Sequence, residues 1–226
     1  MSARALPAPP FAADARPLLR GWSHLVAFFV ALTVGPAFLV TRTAATHRGA
    51  CAVYVATLAA LFGTSALYHR HVWSPRVRPW LRRLDHSAIF LLVAGTYTPL
   101  VRALPAGAGS PILLLAWLGA AAGCLLAILW PAAPKPLSAA TYLLLGWMAV
   151  WLLPAFERSL GPAVVACILA GGALYTLGAL AYALRRPDPW PRVFGYHEIF
   201  HALVILAAGC HFAAVTLALH AHQALP

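Results

Sequence analysis

Acidic side chains are almost missing from this sequence. Asp and Glu number five in 226 residues, and all charged residues together make up 9%. With 62% of the residues hydrophobic, so few charges cannot cover a soluble domain of this size, and lipid must be the solvent for most of the chain. The four cysteines (Cys51, Cys124, Cys167, Cys210) include no C-x-x-C pair. Each lies singly in or beside an apolar stretch and reads as a small packing residue, which leaves the redox compartment undetermined. Residues 1–20 are rich in Pro, Ala and Arg and hold no apolar core of about 7–15 residues, so they read as a mobile tail rather than a secretory signal. Internal repeats, low-complexity runs and a second domain are also absent.

The net charge is +11, but its distribution argues against nucleic acid. The basic residues sit between apolar stretches, where they report orientation and contact with anionic headgroups. Seven stretches are long enough to cross about 30 Å of hydrocarbon: 22–41, 50–69, 85–104, 111–130, 137–154, 162–184 and 195–219. Pro36 and Pro99 fall inside spans and are expected to kink them. Pro105, Pro111, Pro131, Pro134, Pro136, Pro187, Pro189 and Pro191 punctuate the connections. An odd number of spans places the termini on opposite sides. Twelve Lys or Arg residues then fall on the N-terminal side and four on the other, which predicts a cytoplasmic N-terminus and an external C-terminus. Trp22, Trp73, Trp80, Trp130 and Trp190 lie near the cytoplasmic span ends, as an interfacial belt would. The expected fold is an all-α integral membrane bundle of seven transmembrane helices in the plasma membrane. Its parts are a cytoplasmic tail (1–20), a membrane domain (21–219) and a short external tail (220–226).

Span direction brings distant polar residues to one depth. The second span ends with Ser65 and His69, the third starts with Asp85, and the seventh starts with His197 and His201. Ser65/His69 and His197/His201 are each four apart, so each pair shares a helix face. Ionisable groups in a span are costly and count as functional candidates. Three neutral imidazoles suit zinc and leave a fourth tetrahedral position open to water, the arrangement of a catalytic site. Asp85 either orients that water or closes the site as a fourth ligand. Ser65, too weak a ligand to hold zinc alone, suits a hydrogen bond to water or substrate. His211 lies about 21 Å further along its helix than His197 and reads as a buried hydrogen-bonded group. His86 is turned about 100° from Asp85. His24, His47, His71, His220 and His222 fall near interfaces or in loops.

His197-Glu198-Ile199-Phe200-His201 also matches the metalloprotease pattern H-E-x-x-H, in which Glu is the general base. An intramembrane protease of that kind needs a third ligand, usually acidic, from a later span, and no Asp or Glu follows Glu198. Glu198 reads instead as an interfacial carboxylate near the positive end of its helix.

Ser65-x-x-x-His69, the Asp85 segment and His197-x-x-x-His201 together resemble the hemolysin III family and its relatives, the adiponectin and progestin receptors. Gly95-Thr-Tyr-Thr-Pro99, Tyr142-Leu-Leu-Leu-Gly146-Trp147, Gly171-Gly-x-x-Tyr175-Thr-x-Gly178 and His211-Phe212 extend the resemblance over about residues 20–215. It implies seven helices and a zinc ion near the cytoplasmic side, with His69, His197 and His201 as ligands and Asp85 and Ser65 around a bound water. The chain departs from the family at its start. Where bacterial members often carry an acidic stretch before Thr-His, it has Leu19-Arg20-Gly21-Trp22-Ser23-His24. The receptors' Gln is Glu at position 198.

Because the wider superfamily includes ceramidases, the expected function is zinc-dependent hydrolysis of a lipid amide or ester. Membrane lipid would then be both solvent and substrate. Two other classes compete: a cytolytic, pore-forming protein, as the family name implies, and a receptor-like module in which zinc only staples helices together.

Overall fold

The computed structural model describes residues 17–41 and 43–223. Arg4, Arg16 and Arg42 lie outside these residues, as do 1–16 of the expected cytoplasmic tail and 224–226 of the expected external one. The helices are α1 (Trp22–Thr41), α2 (Arg48–Arg70), α3 (Arg78–Arg102), α4 (Ser110–Leu129), α5 (Lys135–Trp147), α6 (Leu153–Leu160), α7 (Pro162–Leu184) and α8 (Tyr196–Gln223). Three-ten turns at Ala45–His47 and Met148–Leu152 lead into α2 and join α5 to α6. Among the described residues, seven helical stretches are long and apolar enough to cross a membrane, and the fifth is the composite Lys135–Leu160. Among the described residues no strand forms. The expected seven-helix, all-α membrane architecture is therefore the observed one.

Two boundaries differ from expectation. α3 starts at Arg78 rather than at residue 85, with a proline in its first turn. Proline's fixed φ and missing N–H suit a helix start, so Arg78, Arg82 and Arg83 ride on the helix rather than in a loop. The fifth span, expected to stop at 154, continues to Leu160 because a three-ten turn lets the chain restart as α6 with a proline in its first turn. Such a break frees carbonyls inside the bundle, where no water can satisfy them. The Tyr97 hydroxyl, donating toward the carbonyls of Gly146 (2.8 Å) and Leu145 (3.2 Å), does so instead.

Packing follows lipid logic. On α4, Leu114, Leu118, Leu125 and Leu129 are exposed while Ala116, Ala120, Gly123 and Ala127 are buried against the bundle. Large apolar side chains meet the surroundings, and small ones allow close helix approach. The tightest such approach on α4 is Gly123 under Phe90 of α3. A Cβ there would lie 2.3–2.5 Å from three atoms of that ring, and Phe90 is itself buried. Gly123→Ala is expected to cost about 1–3 kcal/mol by overpacking, read as a lower melting temperature in detergent. Gly49→Ala, whose Cβ meets open space, should leave melting almost unchanged.

The principal neighbours are α7 with α8, α2 with α3, α3 with α4, α1 with α2 and α5 with α7. Within this arrangement lies a cavity of about 380 Å³, lined mainly by α3, α5, α7 and α8, with residues of α1, α2 and α6 completing its wall. The cavity is polar at one end of the bundle and mostly apolar beyond.

Candidate metal centre

His69 is the penultimate residue of α2, and His197 is the second residue of α8. α2 therefore ends where α3 and α8 begin. At this meeting one ring nitrogen from each of His69, His197 and His201 comes within 4.8 Å of the others. The Nε2 atoms of His69 and His197 are 3.2 Å apart. Two nitrogens bound to one tetrahedral zinc at about 2.0–2.1 Å would be roughly 3.3 Å apart. Ring centroids of the three histidines are separated by 4.6–5.0 Å. His201 is 2% exposed, and its Nδ1 is buried without a hydrogen-bond partner. A buried polar nitrogen is normally bonded to something. Donor type, spacing and this orphaned atom together fit a metal ion of the zinc class.

The other two predicted site residues are present but stand differently. Asp85, buried on the second turn of α3, places Oδ2 3.7 Å from His69 Nε2. It approaches the same nitrogen that faces His197, so it sits on the ligand side of that ring, and among the described residues it forms no such contact with His197 or His201. Ser65 is 2% exposed, one helical turn before His69, and lines the cavity. His86 is engaged elsewhere, its Nδ1 3.1 Å from the Tyr142 hydroxyl. His211 is held at the far end of the cavity, with Nε2 3.4 Å from the Ile168 carbonyl.

Glu198 sits in the first turn of α8, near the positive end of the helix as expected, but it is buried. It is 2% exposed; Oε1 takes the Arg20 guanidinium, and Oε2 accepts the Gly195 N–H at 2.8 Å. The second bond is half of a capping box at the start of α8. Both oxygens are engaged in fixing the helix start, so the observed role of Glu198 is that of a paired cap rather than the free base of an H-E-x-x-H protease.

Sequence reasoning missed His24. It was placed near an interface, yet it is 2% exposed and stacks face to face on His201, with centroids 3.9 Å apart and planes 9° from parallel. Neither of its ring nitrogens has a hydrogen-bond partner. The missing signal was depth: α1 and α8 both start at this end, and each carries a histidine within its first two turns.

A family model described as haemolysin-III related matches residues 13–212. The chain belongs to that family. Among its curated relatives, "Hemolysin-3" of Bacillus cereus is 30% identical over 177 residues, covering 75% of this chain and 78% of that protein. "Hemolysin-3 homolog" of Bacillus subtilis (strain 168) is 29% identical over 161 residues, covering 71% and 72%. The "Adiponectin receptor protein" of Drosophila melanogaster is 37% identical over 91 residues, 34% of this chain and 20% of the receptor. Membership of the haemolysin-III-related family together with seven membrane-length helices makes this a multi-pass membrane protein.

Proposed function

We propose that this protein is a zinc-dependent hydrolase of lipid amide or ester bonds in the plasma membrane, with the three-histidine end of the bundle facing the cytoplasm. The observation that carries this reading is the position of the histidine cluster: it lies at one end of a cavity whose remaining lining is mostly apolar. A zinc ion there supplies Lewis acidity toward a carbonyl and lowers the pKa of a water toward about 7.

The chain's own residues supply the rest. His69, His197 and His201 would hold the ion, and α2, which is not among the principal neighbours of α8, would bring the third ligand to the pair. Asp85, close to one of these histidines and apart from the other two, would accept a proton from a water held at the site. Ser65, on the same α2 face as His69, offers a hydroxyl to the substrate. Apolar walls formed by Leu92, Leu100, Phe156, Ile168 and Val204 exclude water and take an acyl chain.

The test is fatty-acid release from a panel of amide- and ester-linked lipids by purified, zinc-replete protein. Asp85→Asn should lower the rate by about 10²–10⁴, the range for a general acid–base group, while metal content stays unchanged. No release from any lipid at full occupancy would overturn the hydrolase. It would then favour a receptor-like module with a structural zinc, a reading supported by ligands drawn from two helices that otherwise pack little. In that case chelation should lower the melting temperature with no activity to lose.

A further inference from the structure

The cavity wall contributed by α3 carries a graded sequence. Arg78, Arg82, Asp85, Ile89, Leu92 and Leu100 all line the cavity, and their spacing of three, four or eight puts them on one helix face. From the basic end inward this face presents two cations, then the carboxylate beside the histidine cluster, then a run of Ile89, Leu92, Thr96 and Leu100 that is apolar apart from Thr96. Arg82 is about 4.5 Å along the axis from Asp85 and Arg78 about 10 Å, while Asp85 to Leu100 spans about 22 Å.

Across the cavity, α5 adds a further cation. Lys135 is half-buried and donates to the Tyr196 hydroxyl at 2.9 Å. Its Nζ lies 4.5 Å from the Tyr182 ring centroid and 4.7 Å from that of Tyr196. Those two rings pack on His197, with centroids at 5.8 Å and 6.2 Å. The ammonium is therefore one ring's breadth from a candidate ligand.

These cations differ from those that face headgroups around the bundle. Arg83, next to Arg82 but turned outward, lies over the Trp80 ring and donates Nε to the Ile128 carbonyl at 2.8 Å. Arg20 also lines the cavity, but Glu198 neutralises it. Among the described residues Arg82, Arg78 and Lys135 form no ion pair, and the cavity lining holds one carboxylate, Asp85. Arg82 and Lys135, both half-buried and lining one cavity without a counter-ion, call for an anionic ligand, since taking a charge out of water costs free energy unless it is paired, while Arg78 stands exposed at the rim.

We propose that the site selects lipids whose head carries a phosphate. Arg82 and Lys135 clasp the phosphate from opposite walls, Arg78 receives it at the rim, and the scissile bond lies about one to two helical turns deeper. The inference rests on the proposed hydrolase only for the position of that bond. Phosphate recognition itself is a binding property that needs no turnover.

Binding is therefore the readout. Purified protein in detergent is titrated with a short-chain phosphatidic acid and with the diacylglycerol bearing the same chains, and bound lipid is counted by native mass spectrometry. The phosphate-bearing lipid should bind about tenfold tighter or more, the size of one charge-assisted hydrogen bond. Arg82→Gln and Lys135→Gln should each lower that ratio, whereas Arg82→Lys and Lys135→Arg should keep most of it. Equal binding of the two lipids, or a preference that survives the double Gln variant, overturns the proposal. Inorganic phosphate should compete poorly; if it displaces the lipid as well as phosphatidic acid does, the ligand is free phosphate and the lipid assignment is wrong. A protein with no hydrolytic activity can still show the preference. Hydrolysis without any headgroup preference would remove this inference and leave the proposed reaction standing.

Discussion

His197→Ala is expected to strip the metal from this protein. Wild type, purified without chelator and dialysed against trace zinc, should hold about one zinc per chain, as a single three-histidine cluster implies. The variant should hold less than roughly a tenth of that, because losing a ligand costs more than the 10–100-fold in affinity typical of outer-shell changes. Two imidazoles would remain from two different helices, His69 on α2 and His201 on α8. His69→Ala should have a similar effect, since its Nε2 is 3.2 Å from that of His197. His211→Ala is the control. It removes an imidazole from the same helix, but one about 21 Å further along and held to the Ile168 carbonyl, so metal content should not change. Inductively coupled plasma mass spectrometry on the three variants decides the matter. Full zinc content in His197→Ala would dismiss the cluster as a metal site, and loss in His211→Ala would mean that general unfolding had been mistaken for ligand removal.

The convergence of His69, Asp85, His197 and His201 was legible in the sequence because helix direction in a membrane is nearly binary. Once seven spans are counted, each segment end belongs to one of two faces, and polar residues near matching ends must share a depth. The same rule would have included His24, which lies as close to the start of α1 as His197 and His201 lie to the start of α8. It was lost because a histidine at a span end is as easily solvated as buried, and composition carries no sign of the ring that stacks on it. The start of α3 was hidden for a related reason: Arg78, Arg82 and Arg83 lower local hydropathy, so an apolar-run criterion begins the helix two turns late. Those turns carry Arg78 and Arg82, two of the three cavity cations without an ion pair among the described residues. The composite fifth span was cut at Pro154, where a straight helix would stop. Only the tertiary partner Tyr97, which captures carbonyls at the α5 end, makes the continuation affordable. Glu198 was judged by its distance from the helix start alone, whereas its burial depends on a cation 178 residues away in sequence.

That cation sets up the second large effect. Arg20→Ala should destabilise the protein by about 3 kcal/mol, the lower end of the range for removing one partner of a buried ion pair. Side-chain exposure is 21% for Arg20 and 3% for Glu198, so the variant leaves a carboxylate that water reaches poorly. The loss should propagate to the histidine cluster, because Glu198 sits between two candidate ligands and accepts the Gly195 N–H that opens α8. The chain just before α1 is built to present this arginine. Leu18 and Leu19 donate backbone N–H groups to the carbonyls of Arg192 (3.0 Å) and Val193 (3.2 Å). Gly21 then turns with φ +76°, so close to α2 that a Cβ would lie 2.9 Å from the His69 Cβ. Residues 17–20 are thus tied to the loop before α8, at the level of the site. The double variant Arg20→Ala/Glu198→Gln should recover much of the stability, since a neutral amide keeps an acceptor for Gly195 without a buried charge. Melting temperatures in one detergent across wild type, both single variants and the double variant form a complete cycle. A double variant no more stable than Arg20→Ala would show that the arginine acts through packing and leave the charge pair without a role.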